Sequence, residues 1–216
     1  MDHDHHHGHD HDHDPHAPAS DDPLPAPEDA ALETAIRELL IEKGVITAED
    51  VHRQIDVLDS RSPALGAQVV ARAWMDPAFR GALMEEPLAA IEAAFDVAMT
   101  GGAFPALQVV ANEPGLHNVV VCTLCSCYPR VLLGVPPAWY KAAAYRSRVV
   151  RDPRGVLAEF GTVLPADTEV RVHDSTADLR YFVLPSRPPG TEEWNETALA
   201  AIVTRDCMIG TALPRP

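Results

Sequence analysis

Three of the four cysteines of this 216-residue chain stand within six positions, in the run Val121-Cys122-Thr123-Leu124-Cys125-Ser126-Cys127-Tyr128-Pro129-Arg130; the fourth is Cys207. Disulfide pairing does not explain such a cluster, because Cys125 and Cys127 are one residue apart and any pairing among three thiols leaves one over. Clustered thiolates select soft or borderline transition metals, and C-x-x-C-x-C spacing lets one tight loop turn three sulfurs inward. A structural zinc site needs a fourth ligand from Cys207, His117, His173 or another chain, and none sits at ligand spacing. Without one, the nearest remaining donors are the backbone amides of Ser126 and Cys127. Three thiolates and two deprotonated amides suit a small trivalent ion in octahedral geometry and leave one position open, the layout of a catalytic metal site. A structural zinc loop and a redox-sensing thiol cluster stand as alternatives on residue types alone.

Length and composition bound the rest. With 46% apolar residues, the chain is expected to form one sizeable core with appendages. No apolar run reaches the roughly 18 residues of a membrane span, and the N-terminus has no apolar signal core, so a soluble, cytoplasmic protein is expected. A net charge of -15 argues against nucleic acid or an anionic membrane as partner.

Residues 1–27 hold eight histidines, seven aspartates and five prolines. Such a stretch cannot offset its ordering entropy by apolar burial and is expected to be a disordered tail, with His and Asp from Asp2 to His16 offering loose sites for Co, Ni or Zn. Residues 28–62 read as a helical arm. Leu32, Ile36, Leu39 and Leu40 share one face before Gly44, and Thr47 with Asp50 caps a second helix carrying Val51, Ile55 and Leu58. Their apolar faces must lie on the core or on a partner chain, and His52 is expected to be an exposed polar residue.

Residues 63–216 form the expected metal-binding core. Ser62-Pro63 and Asp76-Pro77 open helices carrying Trp74 and Phe79 as packing anchors, another helix runs from about Leu88 to Phe95, and Thr100-Gly101-Gly102 ends the helical pattern. Leu107–Ala111 and Leu116–Cys122 read as a hairpin about Asn112-Glu113-Pro114-Gly115, the second strand delivering the chain into the cysteine loop. His117 reads as a strand histidine satisfied locally. Pro136-Pro137 opens a helical stretch with Trp139, Tyr140 and Tyr145; Asp152-Pro153 caps another that Gly161 closes. Glu169–Asp174 and Leu179–Leu184 read as a half-buried hairpin, and Asn195 or Thr197 starts a last helix, near whose end Cys207 is a buried small residue. Helices followed by strand pairs and helices define an α+β protein.

The loop resembles the metal-binding loop of the nitrile hydratase α subunit, whose pattern is V-C-[T/S]-L-C-S-C-[T/Y]. The likeness continues through Gly134-Val135-Pro136-Pro137-Ala138-Trp139-Tyr140-Lys141, Tyr145-Arg146-Ser147-Arg148-Val149-Val150, Asp152-Pro153-Arg154-Gly155-Val156-Leu157 and Arg205-Asp206-Cys207-Met208-Ile209-Gly210, over roughly residues 28–212. The resemblance implies a four-layer α-β-β-α core with a helical arm wrapping a β subunit. It makes Cys122 the axial thiolate and puts Cys125 and Cys127 in plane with the amide nitrogens of Ser126 and Cys127. It further implies Cys125 oxidised to sulfinic and Cys127 to sulfenic acid, with Cys125, Ser126 and Cys127 as catalytic groups. Thr123 and Tyr128 match the cobalt-type pattern, implying Co(III), with Fe(III) as alternative.

The implied reaction is hydration of a small nitrile to an amide, in an αβ heterodimer or its α2β2 doubling. The β chain would supply arginines to the sulfur oxygens, and a cobalt activator or chaperone would load the metal. The γ subunit of thiocyanate hydrolase shares the loop. The His-rich tail and Cys207 lean towards it, whereas the short Phe95–Val109 segment and the Pro136–Tyr140 string lean towards the hydratase. A non-catalytic metal-binding protein would explain the tail but not the loop.

Overall fold

Alternating short apolar runs and proline-led turns set the element order. In the computed structural model, which describes residues 18–20, 26–59, 61–99 and 105–216, helices α1 (Pro27–Glu42) and α2 (Ala48–Asp59) form the N-terminal segment. Proline at the first helical position starts α1, and α2 carries a reciprocal cap: Thr47 Oγ1 accepts the Asp50 N–H at 3.0 Å while the Asp50 carboxylate accepts the Thr47 N–H at 3.0 Å. No residue of α1 is buried, and Leu32, Ile36, Leu39, Ile55 and Val57 stay exposed, so the arm's apolar face does not lie on the core. His52 is exposed as expected.

Helices α3 (Ala64–Met75), α4 (Pro77–Glu85) and α5 (Pro87–Phe95) follow. Asp76 caps α4, its carboxylate accepting from Ala78 and Phe79 N–H, whereas α3 begins one residue after the expected Pro63. Trp74 Nε1 donates to Pro185 O at 2.7 Å and Phe79 packs edge-on against Phe95, which makes both the anchors their size suggests. The expected break at Thr100–Gly102 and most of the tail, residues 1–17 and 21–25, lie outside the described residues. Pro18–Ser20 are described, and Ala19 is fully buried with its N–H donating to Glu159 at 2.8 Å.

Neither expected hairpin forms. Strand β1 (Ala106–Ala111) pairs parallel with β4 (Leu179–Leu184), and β2 (Leu116–Val121) pairs parallel with β3 (Glu169–Asp174). The four residues between β1 and β2 carry the chain from one ribbon to the other, which β2 touches through β4. Side chains replace the ladder a hairpin would have made. Asn112 Oδ1 accepts the Asn118 N–H at 2.8 Å, and Asn118 Nδ2 donates to Ala111 O at 2.8 Å, satisfying buried backbone groups across the bend. The alternation expected of β4 fails for the same reason, since Phe182, Val183 and Leu184 are all buried in a ribbon covered on both faces.

Four short helices link β2 to β3 and frame the loop: α6 (Arg130–Leu133), α7 (Ala138–Lys141), α8 (Ala143–Arg148) and α9 (Pro153–Glu159). The expected last helix is two, α10 (Glu196–Ala201) and α11 (Arg205–Ile209), because Thr204 starts a new cap by accepting the Cys207 N–H. Asn195 caps α10, and Cys207 is buried in α11 as read from its pattern. No helix among the described residues is long and apolar enough to cross a membrane.

Candidate metal centre

Strand β2 is buried from His117 onward and holds the base of the loop rigid; Cys122, at its end, is 1% exposed. Beyond it the chain turns at once, because the register Val121↔Asp174 puts a carboxylate where β3 ends. Asp174 accepts the Thr123 N–H at 2.9 Å and the Thr123 hydroxyl at 2.6 Å. Arg146 on α8 donates to Thr123 O at 3.0 Å, and the Tyr140 hydroxyl on α7 donates to Cys127 O at 2.9 Å, fixing the loop at both ends. Below it, the Tyr145 hydroxyl donates to Val120 O at 2.6 Å within a nest of buried rings that includes Tyr128 and Tyr140, 5.2 Å apart.

The loop brings together the three cysteines read from the sequence. Their sulfurs lie within 4.8 Å of one another, with Cys122 to Cys125 at 3.5 Å and Cys125 to Cys127 at 3.3 Å. Two sulfurs about 2.3 Å from a shared ion stand about 3.3 Å apart at a right angle and about 3.8 Å apart at a tetrahedral one. The Cys125–Cys127 spacing of 3.3 Å matches an octahedral corner, while the Cys122–Cys125 spacing of 3.5 Å lies midway between the two geometries. The Cys125 N–H donates to the Cys122 sulfur at 3.3 Å, which folds the loop backbone onto the sulfurs. Co(III) or Fe(III) fits these donors.

Among the free thiols, hydrogen bonds from Cys127, Cys122 and the Ser126 N–H draw Cys125 below its ordinary value, while burial followed by the Cys125 hydrogen bond pushes Cys127 up to about 12. A Cys127 thiolate is disfavoured here without a cation, so ion binding at this sulfur releases a proton. Cys207 stays outside the cluster, its sulfur 3.2 Å from the Thr204 hydroxyl. His117 is also excluded: buried on β2, its Nε2 donates to Gly210 O at 2.7 Å and its Nδ1 faces Asn112 Nδ2 at 3.2 Å. His173 donates to Asn118 Oδ1 at 2.8 Å and does not reach the sulfurs.

A cavity of about 360 Å³ opens in front of Cys125, Ser126 and Cys127. Apolar Leu88, Met99 and Leu107 are among its lining residues, as are Arg61, Arg130 and Arg180 from three separate segments. Sequence reasoning missed these arginines, along with Asp174 and Tyr140. They are scattered along the chain, and only Arg130 stands beside the cysteine run.

The sequence profile of nitrile hydratase, alpha chain, matches residues 28–212. This chain belongs to the nitrile hydratase α-chain family. It is 47% identical over 188 residues to the low-molecular-weight cobalt-containing nitrile hydratase α subunit of Rhodococcus rhodochrous, covering 87% of this chain and 89% of that one. It is 46% identical over 196 residues to the thiocyanate hydrolase γ subunit of Thiobacillus thioparus, covering 86% and 79%. Among solved structures, a double mutant of the Fe-type nitrile hydratase from Comamonas testosteroni Ni1 superposes with a TM-score of 0.81 at 40% identity, covering 89% of this chain and 97% of that one. Recombinant thiocyanate hydrolase with partially modified cobalt centres gives 0.78 at 45% identity, covering 89% and 92%. The nitrile hydratase α-chain family thus includes relatives named for cobalt and for iron, and for two substrates.

Proposed function

We propose that this chain is the metal-bearing α subunit of a nitrile hydratase, adding water across a carbon–nitrogen triple bond to give an amide. The observation that carries this reading is the cluster of three sulfurs, two of which border a cavity, in a chain of this family. Cys122, Cys125 and Cys127 with the amides of Ser126 and Cys127 would hold Co(III), which the Thr123 and Tyr128 pattern favours over Fe(III). Bound there, the ion supplies Lewis acidity towards a cyano group or a water.

The chain's own residues do the rest. Buried Cys122 anchors the centre, while Cys125 and Cys127 border the cavity, where sulfinic and sulfenic oxygens offer a base or a nucleophile to the reacting carbon. The exposed Leu124 at the loop apex, 85% accessible, and the bare apolar face of α1 and α2 suit a β subunit that completes the pocket in an αβ or α2β2 assembly. The four-layer core, the cytoplasmic setting and a cobalt-loading chaperone belong to the same reading.

Metal analysis and mass spectrometry of the complex purified with its partner test it. The expected result is stoichiometric cobalt and about 48 Da, three oxygens, added to the peptide spanning Val121 to Arg130. An active complex whose Cys125 is a plain thiol would overturn the proposed centre. Near-equal identity supports a second reading, the γ subunit of a thiocyanate hydrolase. Copurification with two small chains instead of one longer β chain would favour it.

A further inference from the structure

We propose that the His/Asp run of residues 2–16 is a store for borderline divalent cations such as Co(II), clipped to the body of the chain at Ala19, and that it passes its ion to the cysteine loop of the same chain. The proposal rests on that loop being a metal centre. The run holds eight histidines, five aspartates and no cysteine, so its donors are imidazole nitrogen and carboxylate oxygen. Such donors suit Co(II), Ni(II) and Zn(II), while three clustered thiolates, softer and anionic, hold a borderline ion more firmly, so exchange from run to loop is downhill. The step is a change of ligands alone: metal–nitrogen bonds break as metal–sulfur bonds form, the thiol protons pass to the freed imidazoles or to water, and the ion stays divalent.

The fold decides where the run starts from. Ala19, three residues after His16, is fully buried, and its N–H donates at 2.8 Å to the Glu159 carboxylate, which also accepts from Arg148 Nη1 at 3.0 Å. One methyl group and one hydrogen bond return little stability against the ordering of the segment, so the clip is better explained by what it places. Arg148 closes α8, and the same helix reaches the metal loop: the Tyr145 hydroxyl donates to Val120 O and Arg146 to Thr123 O. Anchor and loop thus hang on one helix about 9 Å long. The sixteen residues from Ala19 back to His3 span at most about 55 Å, several times that length, and Cys125 stands exposed to an arriving ion. The next described residues, from Ala26 onward, lead into α1, which buries none of its side chains, so without the clip the run would leave from the arm instead of from the core.

The test takes the full chain, purified with its partner from cells grown without cobalt, and mixes it with equimolar Co(II) in the absence of oxygen. The mixture is diluted at once to two concentrations and followed by sulfur-to-cobalt absorption. Passage within one chain is unimolecular, so the half-time should be the same at two concentrations about tenfold apart, whereas that of a chain lacking residues 2–17 should lengthen about tenfold, as an encounter in solution requires. The run supplied in trans, on a full chain with Cys122, Cys125 and Cys127 all replaced by Ala, should not speed the truncated chain. Glu159→Ala removes the acceptor of the clip, and Ala19→Trp is too large for the buried slot while leaving the Arg148–Glu159 pair in place. Each should lengthen the full-chain half-time about threefold, because a longer tether lowers the effective concentration. A full chain that slows on dilution as the truncated one does, a run that works equally in trans, or clip variants that both load at the parent rate would each overturn the proposal and leave the metal-centre reading intact. No sulfur-to-cobalt absorption in either chain would sink that reading and the proposal together.

Discussion

Asp174 and Thr123 join the end of a strand to the start of the metal loop, one carboxylate accepting both the Thr123 N–H at 2.9 Å and its hydroxyl at 2.6 Å. The two residues are 51 positions apart, and the register of β2 on β3 makes them neighbours. The carboxylate thereby fixes the first turn after Cys122, and with it the direction in which Cys125 returns towards the cavity.

Asp174→Ala removes the acceptor of both the Thr123 N–H and the Thr123 hydroxyl, so both hydrogen bonds are lost. We expect the loop to loosen at a cost of about 1–2 kcal/mol, the range for a hydrogen bond to a charged group reduced for exposure. Cobalt content after dialysis against a chelator should fall well below that of the parent protein while the far-ultraviolet circular dichroism is retained. Unchanged metal retention would mean that Asp174 does not position the loop.

Removing any one sulfur opens a gap that the neighbouring donors cannot fill. Cys122→Ala, Cys125→Ala and Cys127→Ala should each lose both metal and turnover. Cys207→Ser should keep stoichiometric metal and lose only stability, because its sulfur is buried against Thr204 and away from the cluster. Elemental analysis of the four variants checks this, and cobalt missing from a folded Cys207→Ser protein would point to a fourth cysteine ligand.

His117 gives the fold a pH dependence whose sign can be worked out. Burial holds its pKa below the ordinary 6.5, outweighing the Gly210 hydrogen bond that raises it. The neutral ring is satisfied on both sides, Nε2–H donating to Gly210 O and Nδ1 accepting from Asn112 Nδ2, whereas a second proton would face the Asn112 amide hydrogens. The unfolded chain therefore takes up a proton that the folded one refuses. Stability is present in full above about pH 6.5 and is lost as pH falls towards the depressed folded value, as linkage requires. Melting temperatures from pH 8 to pH 5.5 should decline in the parent protein. In His117→Gln they should start lower and decline less, and parallel slopes would assign the acid sensitivity elsewhere.

The His and Asp run at the N-terminus is expected to gather metal without serving the fold. Ala19 is buried on Glu159, so the deletion that tests this should stop at residue 17. We expect the shortened chain to melt and turn over as before, yet to carry less cobalt when cells grow in scarce cobalt. Equal occupancy across a cobalt titration would reduce the run to a solvated appendage.

The sequence by itself determined the cysteine cluster, because C-x-x-C-x-C sets the three sulfurs within six residues. It also determined the helix starts at Asp76, Asn195 and Thr47, since a cap is a contact between residues two or three positions apart. Strand existence was legible too, but not partnership. Asn112–Gly115 looks like a hairpin turn locally, and only the packing of two ribbons, with Asn112 and Asn118 taking over the backbone hydrogen bonds, decided that β1 joins β4 and β2 joins β3. The arrival of Asp174, Tyr140 and Arg146 at the loop, and of Arg61, Arg130 and Arg180 around one cavity, follows from that register and from the short helices after the loop. Such contacts join residues that share no period and no motif, so they exist only once burial of the apolar strands has fixed which segments lie side by side.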